Sequence, residues 1–325
     1  MAGFADLTAL SHRESRGRRS RVSQGSTVRI LFTHRPTRTR RSGGPDKHEE
    51  MRFTAIAFTA FGVAVVTSAF AANASPNLSA ALAAAVSDST RPESDTSRDA
   101  ERKPEQTLAF SGVKPGDRVA DYVADSGYFT RLFSSVVGPR GHVYAVEPTA
   151  FFGFKRFPAA VAELQSYAVA HPNVTVTTAG ALEGLSFPQK LDLFWISRNY
   201  HDLHDKFMGP VDIAAFNRAV YKALKPGGIY VVLDHSAPSG AAADVTETLH
   251  RIEASTVRRE VEAAGFTLVS ESSVLANPAD PRTVKVFDPS IRGHTDQFML
   301  KFRKGGAGMD RRGRSGRQRD SRSPS

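Results

Sequence analysis

The fold of this chain is decided by the stretch Val119-Ala120-Asp121-Tyr122-Val123-Ala124-Asp125-Ser126-Gly127-Tyr128-Phe129-Thr130, in which an apolar run leads through a small-residue turn into a helical pattern. Nucleotide cofactors bind at such junctions, because small residues let the backbone approach the ligand and the first helical N–H groups face it. Glu147 ends the next apolar run, 20 residues after Gly127. This spacing is typical of a carboxylate that accepts hydrogen bonds from ribose hydroxyls. The sequence therefore predicts a nucleoside pocket between this turn and Glu147.

Outward from that turn, short apolar runs alternate with helical patterns. The predicted strands are Arg118 to Val123, His142 to Val146, Val174 to Thr178, Leu191 to Ile196, Ile229 to Leu233, Phe266 to Ser270 and Gln297 to Phe302. The predicted helices are Tyr128 to Val137, Pro158 to Ala170, Ile213 to Leu224 and Ser255 to Ala264. This alternation predicts an α/β fold of the doubly wound type, with a mostly parallel seven-stranded sheet and helices on both faces.

The chain divides by composition into five segments. Residues 1–50 form a basic extension without apolar periodicity, and 51–74 have the layout of a signal peptide. Residues 75–104 are predicted to be a linker that contains one helix, Leu78 to Val86. The domain itself is predicted to span 105–304, and 305–325 form a disordered Arg/Ser/Gly tail.

The signal-peptide layout consists of Arg52, an uncharged run from Phe53 to Phe70, and small-residue cleavage sites that end at Ala71 and Ala74. Met51 is then the translation start, and residues 1–50 lie upstream of it. We expect a periplasmic or secreted protein. The alternative is an uncleaved segment that anchors the protein in the inner membrane, since the run reaches the lower limit for spanning a bilayer.

Charge and cysteine content exclude several classes of protein. The net charge is +10, but residues 1–50 hold 11 Lys and Arg against 5 Asp and Glu, and residues 301–325 hold 9 against 2. The remaining 250 residues therefore carry a net charge of −3. We expect no nucleic-acid binding by the folded domain, and the alternative is an RNA- or DNA-binding Arg-rich tail. The absence of cysteine excludes disulfides, thiolate metal sites and a cysteine nucleophile.

Several motifs now occur in the order found in class I S-adenosylmethionine-dependent methyltransferases, which the chain resembles over about 190 residues. They are Lys114 to Val119, Asp121 to Thr130, Glu147-Pro148, and Leu224-Lys225-Pro226-Gly227-Gly228. Within that superfamily the chain also resembles a bacterial group of predicted methyltransferases that often carry signal peptides. This finer resemblance rests on Arg198 to Asp202, Asp234-His235, Asn277 to Arg282 and Phe287-Asp288-Pro289.

The resemblance implies S-adenosyl-L-methionine as the cofactor. It places Asp121, Gly127 and Tyr128 beside the methionine part and Glu147 at the ribose, and the predicted cofactor-binding set is completed by Tyr122, Ser126 and Asn199. Two departures from the family pattern stand out. The loop has Ala124, Asp125 and Ser126 where relatives have glycines, and Ala181 stands where an acid for the adenine amine is usual.

The acceptor side is predicted at the carboxyl end of the fourth strand, where open α/β sheets bind ligands. Tyr200, His201 and Asp202 stand there, His235 follows the fifth strand, and these four are the predicted catalytic residues. His201 is interpreted as a general base or an orienting group, and Tyr200 as a wall of the pocket. No metal is predicted. The alternative is a divalent ion held by members of the set His201, Asp202, His204, Asp205 and His235.

The sequence thus predicts a methyltransferase that acts on an unidentified small-molecule acceptor. Its membrane contact is limited to the signal segment, if that segment stays uncleaved. The alternative is an exported, non-catalytic ligand-binding protein on the same scaffold, because a fold does not imply a function.

Overall fold

The computed structural model describes residues 76–242 and 244–306. The predicted extension 1–50, the signal segment 51–74 and residues 307–325 of the tail lie outside them. Among the described residues, no helix has the length and apolar character to span a bilayer.

A seven-stranded sheet with the order β3-β2-β1-β4-β5-β7-β6 forms the centre of the domain. The strands are β1 Arg118–Tyr122, β2 His142–Pro148, β3 Val174–Ala179, β4 Leu191–Ser197, β5 Leu224–His235, β6 Phe266–Ser272 and β7 Gln297–Lys304. All paired neighbours are parallel except β7, which runs antiparallel to both β5 and β6. The predicted doubly wound, mostly parallel sheet is confirmed.

Nine α-helices accompany the sheet within the described ranges. They are α1 Pro76–Ser87, α2 Glu93–Thr96, α3 Asp99–Arg102, α4 Pro104–Ser111, α5 Tyr128–Val137, α6 Phe157–Ala170, α7 Ile213–Ala223, α8 Val245–Leu249 and α9 Ala254–Ala263. The four helices predicted from periodicity correspond to α5, α6, α7 and α9.

Both faces of the sheet are buried. Along β4, Phe194 and Ile196 pack into one apolar cluster, while Leu193 and Trp195 pack into a second cluster on the opposite face. Successive side chains of a strand point to opposite faces, so a strand covered on both sides is a continuous apolar run. This pattern makes the central strands readable from the sequence.

The prediction of a linker over 75–104 is wrong for its described part. Residues 76–102 form α1, α2 and α3, and Leu82 and Ala85 belong to the same apolar cluster as α5. Arg131 of α5 donates from Nε to Asp95 at 2.6 Å and from Nη2 at 3.0 Å. The polar composition looked like a linker because the residues that dock this segment are charged rather than apolar.

We predict that Asp95→Ala lowers the free energy of unfolding by about 3–5 kcal/mol, because it leaves the Arg131 guanidinium buried without its carboxylate. Asp95 is fully buried, whereas Glu163, the other acidic neighbour of Arg131, is 49 % exposed and 3.7 Å away. Glu163→Ala is therefore the matched control, with an expected loss below about 1 kcal/mol. Urea unfolding measures both. Equal losses in the two variants would contradict the docking role of Asp95.

Candidate functional site

The carboxyl ends of β1, β2, β4 and β5 lie at one edge of the sheet. Tyr122 at the end of β1 is in register with Val146 on one side and with Ile196 on the other, and Ile196 is in register with Val232. Because these strands are parallel, the segments that follow them leave from the same edge. β1 and β4 are also neighbours although β2 and β3 intervene in sequence, and such a switch point is where open α/β sheets bind ligands.

The loop after β1 keeps a glycine-type backbone with few glycines. Val123, Asp125 and Gly127 have φ angles of 58°, 55° and 89°. Left-handed φ is rare outside glycine and a clear outlier for a β-branched residue such as Val123. At Gly127 the space itself requires glycine, since a Cβ atom would lie 2.6 Å from Leu164 Cδ1. Asp125 therefore differs from the glycine usual in the family in its side chain but keeps the backbone conformation that glycine favours. Val123 is a second non-glycine residue with such a backbone conformation.

Asp121, the acid at the end of β1, is buried and accepts a hydrogen bond from Thr130 Oγ1 at 2.7 Å. Burial raises its pKa to about 7, although the Thr130 hydroxyl acts in the opposite direction. Thr130 lies in the first turn of α5, so this bond ties the strand end to the helix that follows the loop.

Glu147 has a buried carboxylate without hydrogen-bond partners. Its side chain is fully buried, and neither Oε1 nor Oε2 forms a hydrogen bond. Burial raises its pKa well above the usual value, and the nearby carboxylates of Asp121 and Asp125 add to that rise. The backbone N–H of Asp125 acts in the opposite direction and lowers the pKa. The predicted juxtaposition of the loop and Glu147 is therefore present in the structure.

Two arginines that were not among the predicted site residues, Arg102 and Arg198, stand beside this edge. Arg102 of α3 lies with Cζ 4.3 Å from the centre of the Tyr128 ring, and its Nε has no hydrogen-bond partner. Burial and the nearby Arg198 lower the Arg102 pKa to about 9. Arg198 is bound to Glu101 and Gln297, but its Nη2 atom is buried and unpaired. No spacing in the sequence links these residues, because Arg102 comes from the segment predicted to be a linker.

Three further residues were predicted to bind the cofactor, Tyr122, Ser126 and Tyr128, and their surroundings differ. Tyr128 follows Gly127 and donates from its hydroxyl to Asp99 Oδ1 at 2.6 Å, which joins α5 to α3. Ser126 is half-buried in the loop. Tyr122 is fully buried in the apolar cluster, and its hydroxyl donates to the carbonyl of Ala181 at 3.1 Å. Tyr122 therefore supports the pocket wall rather than opening into it.

Ala181 stands where an acidic residue is usual, and an acidic residue, Glu183, lies nearby. Glu183 lies in a short 3₁₀ turn two residues later, and a Cβ atom on Gly180 would collide with its Oε2 atom. Its charge also raises the pKa of the Tyr122 hydroxyl, after the larger effect of burial. A carboxylate thus lies at the end of β3 although the usual position holds alanine.

On the acceptor side, His201 is held by Asp234. His201 Nδ1 lies 2.8 Å from Asp234 Oδ1, and the His201 backbone N–H donates to Asp234 Oδ2 at 2.9 Å. Burial lowers the tendency of His201 to take a proton, but the carboxylates of Asp234 and Asp202 outweigh it and raise the pKa to about 9. His201 as placed is therefore an orienting, positively charged group at neutral pH rather than a free general base.

Asp202 joins several groups of the predicted site. Asn199 Nδ2 donates to its Oδ2 atom at 2.8 Å, and its Oδ1 atom lies 3.4 Å from His201 Nε2. His250, which follows α8 and was not among the predicted residues, reaches the same Oδ1 atom at 3.8 Å. The ligand-type atoms of His201, Asp202 and His250 all lie within 4.8 Å of one another.

Tyr200 and His204 do not join that group. Tyr200 is fully buried in the core, where its hydroxyl donates to Glu260 at 2.9 Å and accepts from Asn217 at 2.8 Å. His204 Nε2 lies 3.2 Å from the same Glu260. The prediction that Tyr200 is catalytic is therefore corrected. Its ring packs in the apolar core and does not face the site.

His235 lies at the end of β5, with its ring centre 6.2 Å from that of His201. Its Nδ1 atom lies 2.8 Å from Thr295 Oγ1. Burial, the charge of Arg198 and that of His201 hold the His235 pKa well below its usual range. His235 is therefore a neutral imidazole at this edge, next to a charged one.

No protein-family profile matches the chain. Several curated relatives of this chain carry the name ubiquinone/menaquinone biosynthesis C-methyltransferase UbiE. That of Pseudomonas paraeruginosa is 31% identical over 206 residues, which cover 63% of this chain and 70% of the relative. That of Vibrio vulnificus is 30% identical over 63% of this chain and 68% of the relative. A crystallised S-adenosylmethionine-dependent methyltransferase from Aquifex aeolicus matches 65% of this chain and 95% of its own length at 17% identity, with a TM-score of 0.45.

We predict that Glu147→Gln stabilises the fold at neutral pH. As the pH rises above 4.5, the carboxyl of the unfolded chain loses its proton while the folded one, with its raised pKa, retains it, so wild-type stability falls. The glutamine does not titrate. The free energy of unfolding of the variant should exceed that of the wild type by about 1–3 kcal/mol at neutral pH and by little at pH 4.5.

Denaturant titrations across that pH interval measure the difference. The control is Glu262→Gln, since Glu262 is a surface residue paired with Arg258 on the same helix. A gap that does not grow with pH would contradict the burial of an unpaired carboxyl at Glu147.

Proposed function

Because this chain belongs to the class I S-adenosylmethionine-dependent methyltransferases, we propose that it methylates a small-molecule acceptor bound at the carboxyl ends of β4 and β5. When bound, the cofactor would supply a methyl group on a sulfonium sulfur: the acceptor atom would bond to the methyl carbon as the carbon–sulfur bond breaks, and the sulfur would leave as a neutral thioether. The work of the protein is then to align acceptor and methyl group and to keep water away. The observation that carries the proposal is the unpaired carboxylate of Glu147 beside the loop after β1.

The residues at this edge fit the cofactor. A buried carboxylate with two free oxygens is costly unless a ligand donates to it. The paired hydroxyls of a ribose are such donors, and Glu147 lies where the second strand of a nucleotide-binding sheet offers them an acceptor. We therefore assign the ribose to Glu147.

The structure offers both positive and negative side chains for the carboxylate and the ammonium group of the methionine part. Arg102 and Arg198 present unpaired nitrogen atoms, which suit a carboxylate. Asp121 keeps one carboxylate oxygen beyond the Thr130 bond and suits an ammonium group. We place the amino acid end of the cofactor between these residues, under the helices docked by Asp95.

For the adenine, Glu183 supplies the carboxylate that Ala181 lacks. It follows β3 closely, and the hydroxyl of Tyr122 is held beside it by the carbonyl of Ala181. An exposed glutamate can turn toward an exocyclic amine, which an alanine side chain cannot bond.

The acceptor is proposed to lie beside Asn199, His201 and His235. The Asp234 carboxylate fixes the His201 ring, so His201 orients an acceptor rather than moving with it. His235 has one ring nitrogen engaged by Thr295 and the other available for a proton of the acceptor. His201 and Asp202 are only 3 % and 5 % exposed, so a small molecule can reach them more readily than a folded polymer.

A test uses methyl-labelled S-adenosylmethionine with the purified protein and a cell-envelope extract divided into small molecules, protein and nucleic acid. We expect label in the small-molecule fraction with wild type and with Glu262→Gln. With Glu147→Gln we expect transfer and cofactor affinity to fall about 10–100-fold, because a charged hydrogen bond contributes about 1.5–3 kcal/mol. Label in nucleic acid or protein would overturn the acceptor class. Unchanged affinity in Glu147→Gln would overturn the ribose assignment, and no binding by the wild type would favour the non-catalytic alternative.

We further propose that the enzyme belongs to the group with signal peptides and works in the periplasm or outside the cell. The support is the layout of Arg52, the uncharged run from Phe53 to Phe70, and the small residues that end at Ala71 and Ala74. Residues 51–300 carry a net charge of −3, so this part of the chain has no excess of positive charge to attract a nucleic acid.

Mass spectrometry of the native N-terminus from separated cell fractions tests this location. We expect a periplasmic or secreted chain that starts directly after Ala71 or Ala74. A membrane-bound chain that starts at Met51 would favour the anchor, and a cytoplasmic chain that retains residues 1–50 would refute export.

A further inference from the structure

The cluster around Asp202 has a use that methyl transfer does not require. Three side chains, those of His201, Asp202 and His250, converge between the turn after β4 and the residue after α8, and Asp205 adjoins His250. Two imidazoles and two carboxylates are the donors that zinc and other first-row divalent ions prefer in proteins.

The spacing of the donor atoms fits an ion between them better than bonds among them. Asp202 Oδ1 lies 3.4 Å from His201 Nε2 and 3.8 Å from His250 Nδ1, and that nitrogen lies 4.0 Å from Asp205 Oδ2. Charge-assisted hydrogen bonds are about 2.7–2.9 Å long, and all three contacts are longer than that. Tetrahedral zinc with bonds of about 2.0–2.2 Å separates its ligand atoms by about 3.3–3.6 Å. The separation of 3.4 Å lies in that range, and those of 3.8 Å and 4.0 Å exceed it by a few tenths of an ångström.

His201 has the kind of hydrogen-bond partner that metal-binding histidines usually have. Its Nδ1 atom lies 2.8 Å from Asp234 Oδ1, which turns Nε2 toward Asp202 and His250. Histidines that bind metals nearly always donate their other ring N–H to a carboxylate or a carbonyl, and this bond fixes both tautomer and ring orientation. Asp234 is itself held in place by the backbone N–H groups of His201 and His235.

Asp205 gives an independent indication. It is only 2 % exposed, yet its Oδ1 atom has no hydrogen-bond partner. A buried carboxylate oxygen without a partner is unfavourable, and a cation bound by this carboxylate would remove that cost. On the solvent side, His250 is 25 % exposed and packs on the ring of Phe287, so an ion can enter there.

We propose that His201, Asp202, His250 and Asp205 bind a divalent first-row transition ion, with Zn²⁺ as the first ion to test. The site shares His201 with the proposed acceptor pocket, but ion binding there does not require an acceptor. The ion would displace the proton of His201 Nε2 to solvent and balance the carboxylates of Asp202 and Asp205, and Asp234 would act as the outer support of His201.

The experiment titrates the full, untagged and chelator-treated chain with ZnCl₂ by calorimetry and with Co²⁺ by visible absorption. Wild type should bind one ion per chain. His250→Asn should weaken that binding by at least about tenfold, since loss of an outer-shell partner alone costs about 10–100-fold. Asparagine suits this position because His250 has a φ of 52°. The matched control is His204→Asn, whose histidine pairs with Glu260 instead and should leave ion binding unchanged.

Asp202→Asn is a second variant, to be used if His250→Asn fails to fold, and it should weaken the ion in the same way. Glu147→Gln should keep the ion while it loses the cofactor, and His250→Asn should keep the cofactor while it loses the ion. The proposal is overturned if wild type binds no ion at this stoichiometry, or if His204→Asn and His250→Asn bind it equally.

Discussion

The candidate site depends on one buried carboxylate, that of Glu147, which has no hydrogen-bond partner. Burying such a group costs free energy, and its pKa rises because the protonated form is cheaper to bury. A site that served the fold alone would replace it with an apolar or a paired residue. The rest of the edge supports it: β1 brings Asp121 close, β3 covers its other side, and the loop after β1 passes in front. Its cost is recovered when a ligand with hydroxyl donors binds.

The loop after β1 adds strain at the same place. Val123 and Asp125 hold left-handed backbone angles that cost of order 1–3 kcal/mol each outside glycine. They persist because both flanks of the loop are fixed, by the pairing of β1 with its neighbours and by α5, which Asp95 and Arg131 join to the N-terminal helices. Packing thus holds a glycine-type backbone path after β1 although Gly127 is the one glycine of this loop.

Features that depend on residues close together in the sequence could be predicted, and features that depend on residues far apart could not. The strands and the helices α5, α6, α7 and α9 were predicted because their apolar periodicity is local, and the loop and Glu147 because parallel strands place their ends at one edge. Tyr200 was misplaced because a one-residue step decides whether a ring faces the pocket or the core. Arg102 and His250 were missed because they reach the site from segments distant in sequence, the first from a stretch whose charged residues resembled a linker.

The two halves of the site differ in how strongly the fold dictates them. The proposed cofactor half is built on strand ends and on the loop after β1, which the sheet holds in place. The proposed acceptor half depends on side-chain contacts at the ends of β4 and β5: Asp234 holds His201, Asn199 holds Asp202, and Thr295 holds His235. Such contacts can change without disturbing the core. The chemistry of the acceptor therefore has to be sought in the polar groups around His201, since neither the net charge of the chain nor its fold specifies it.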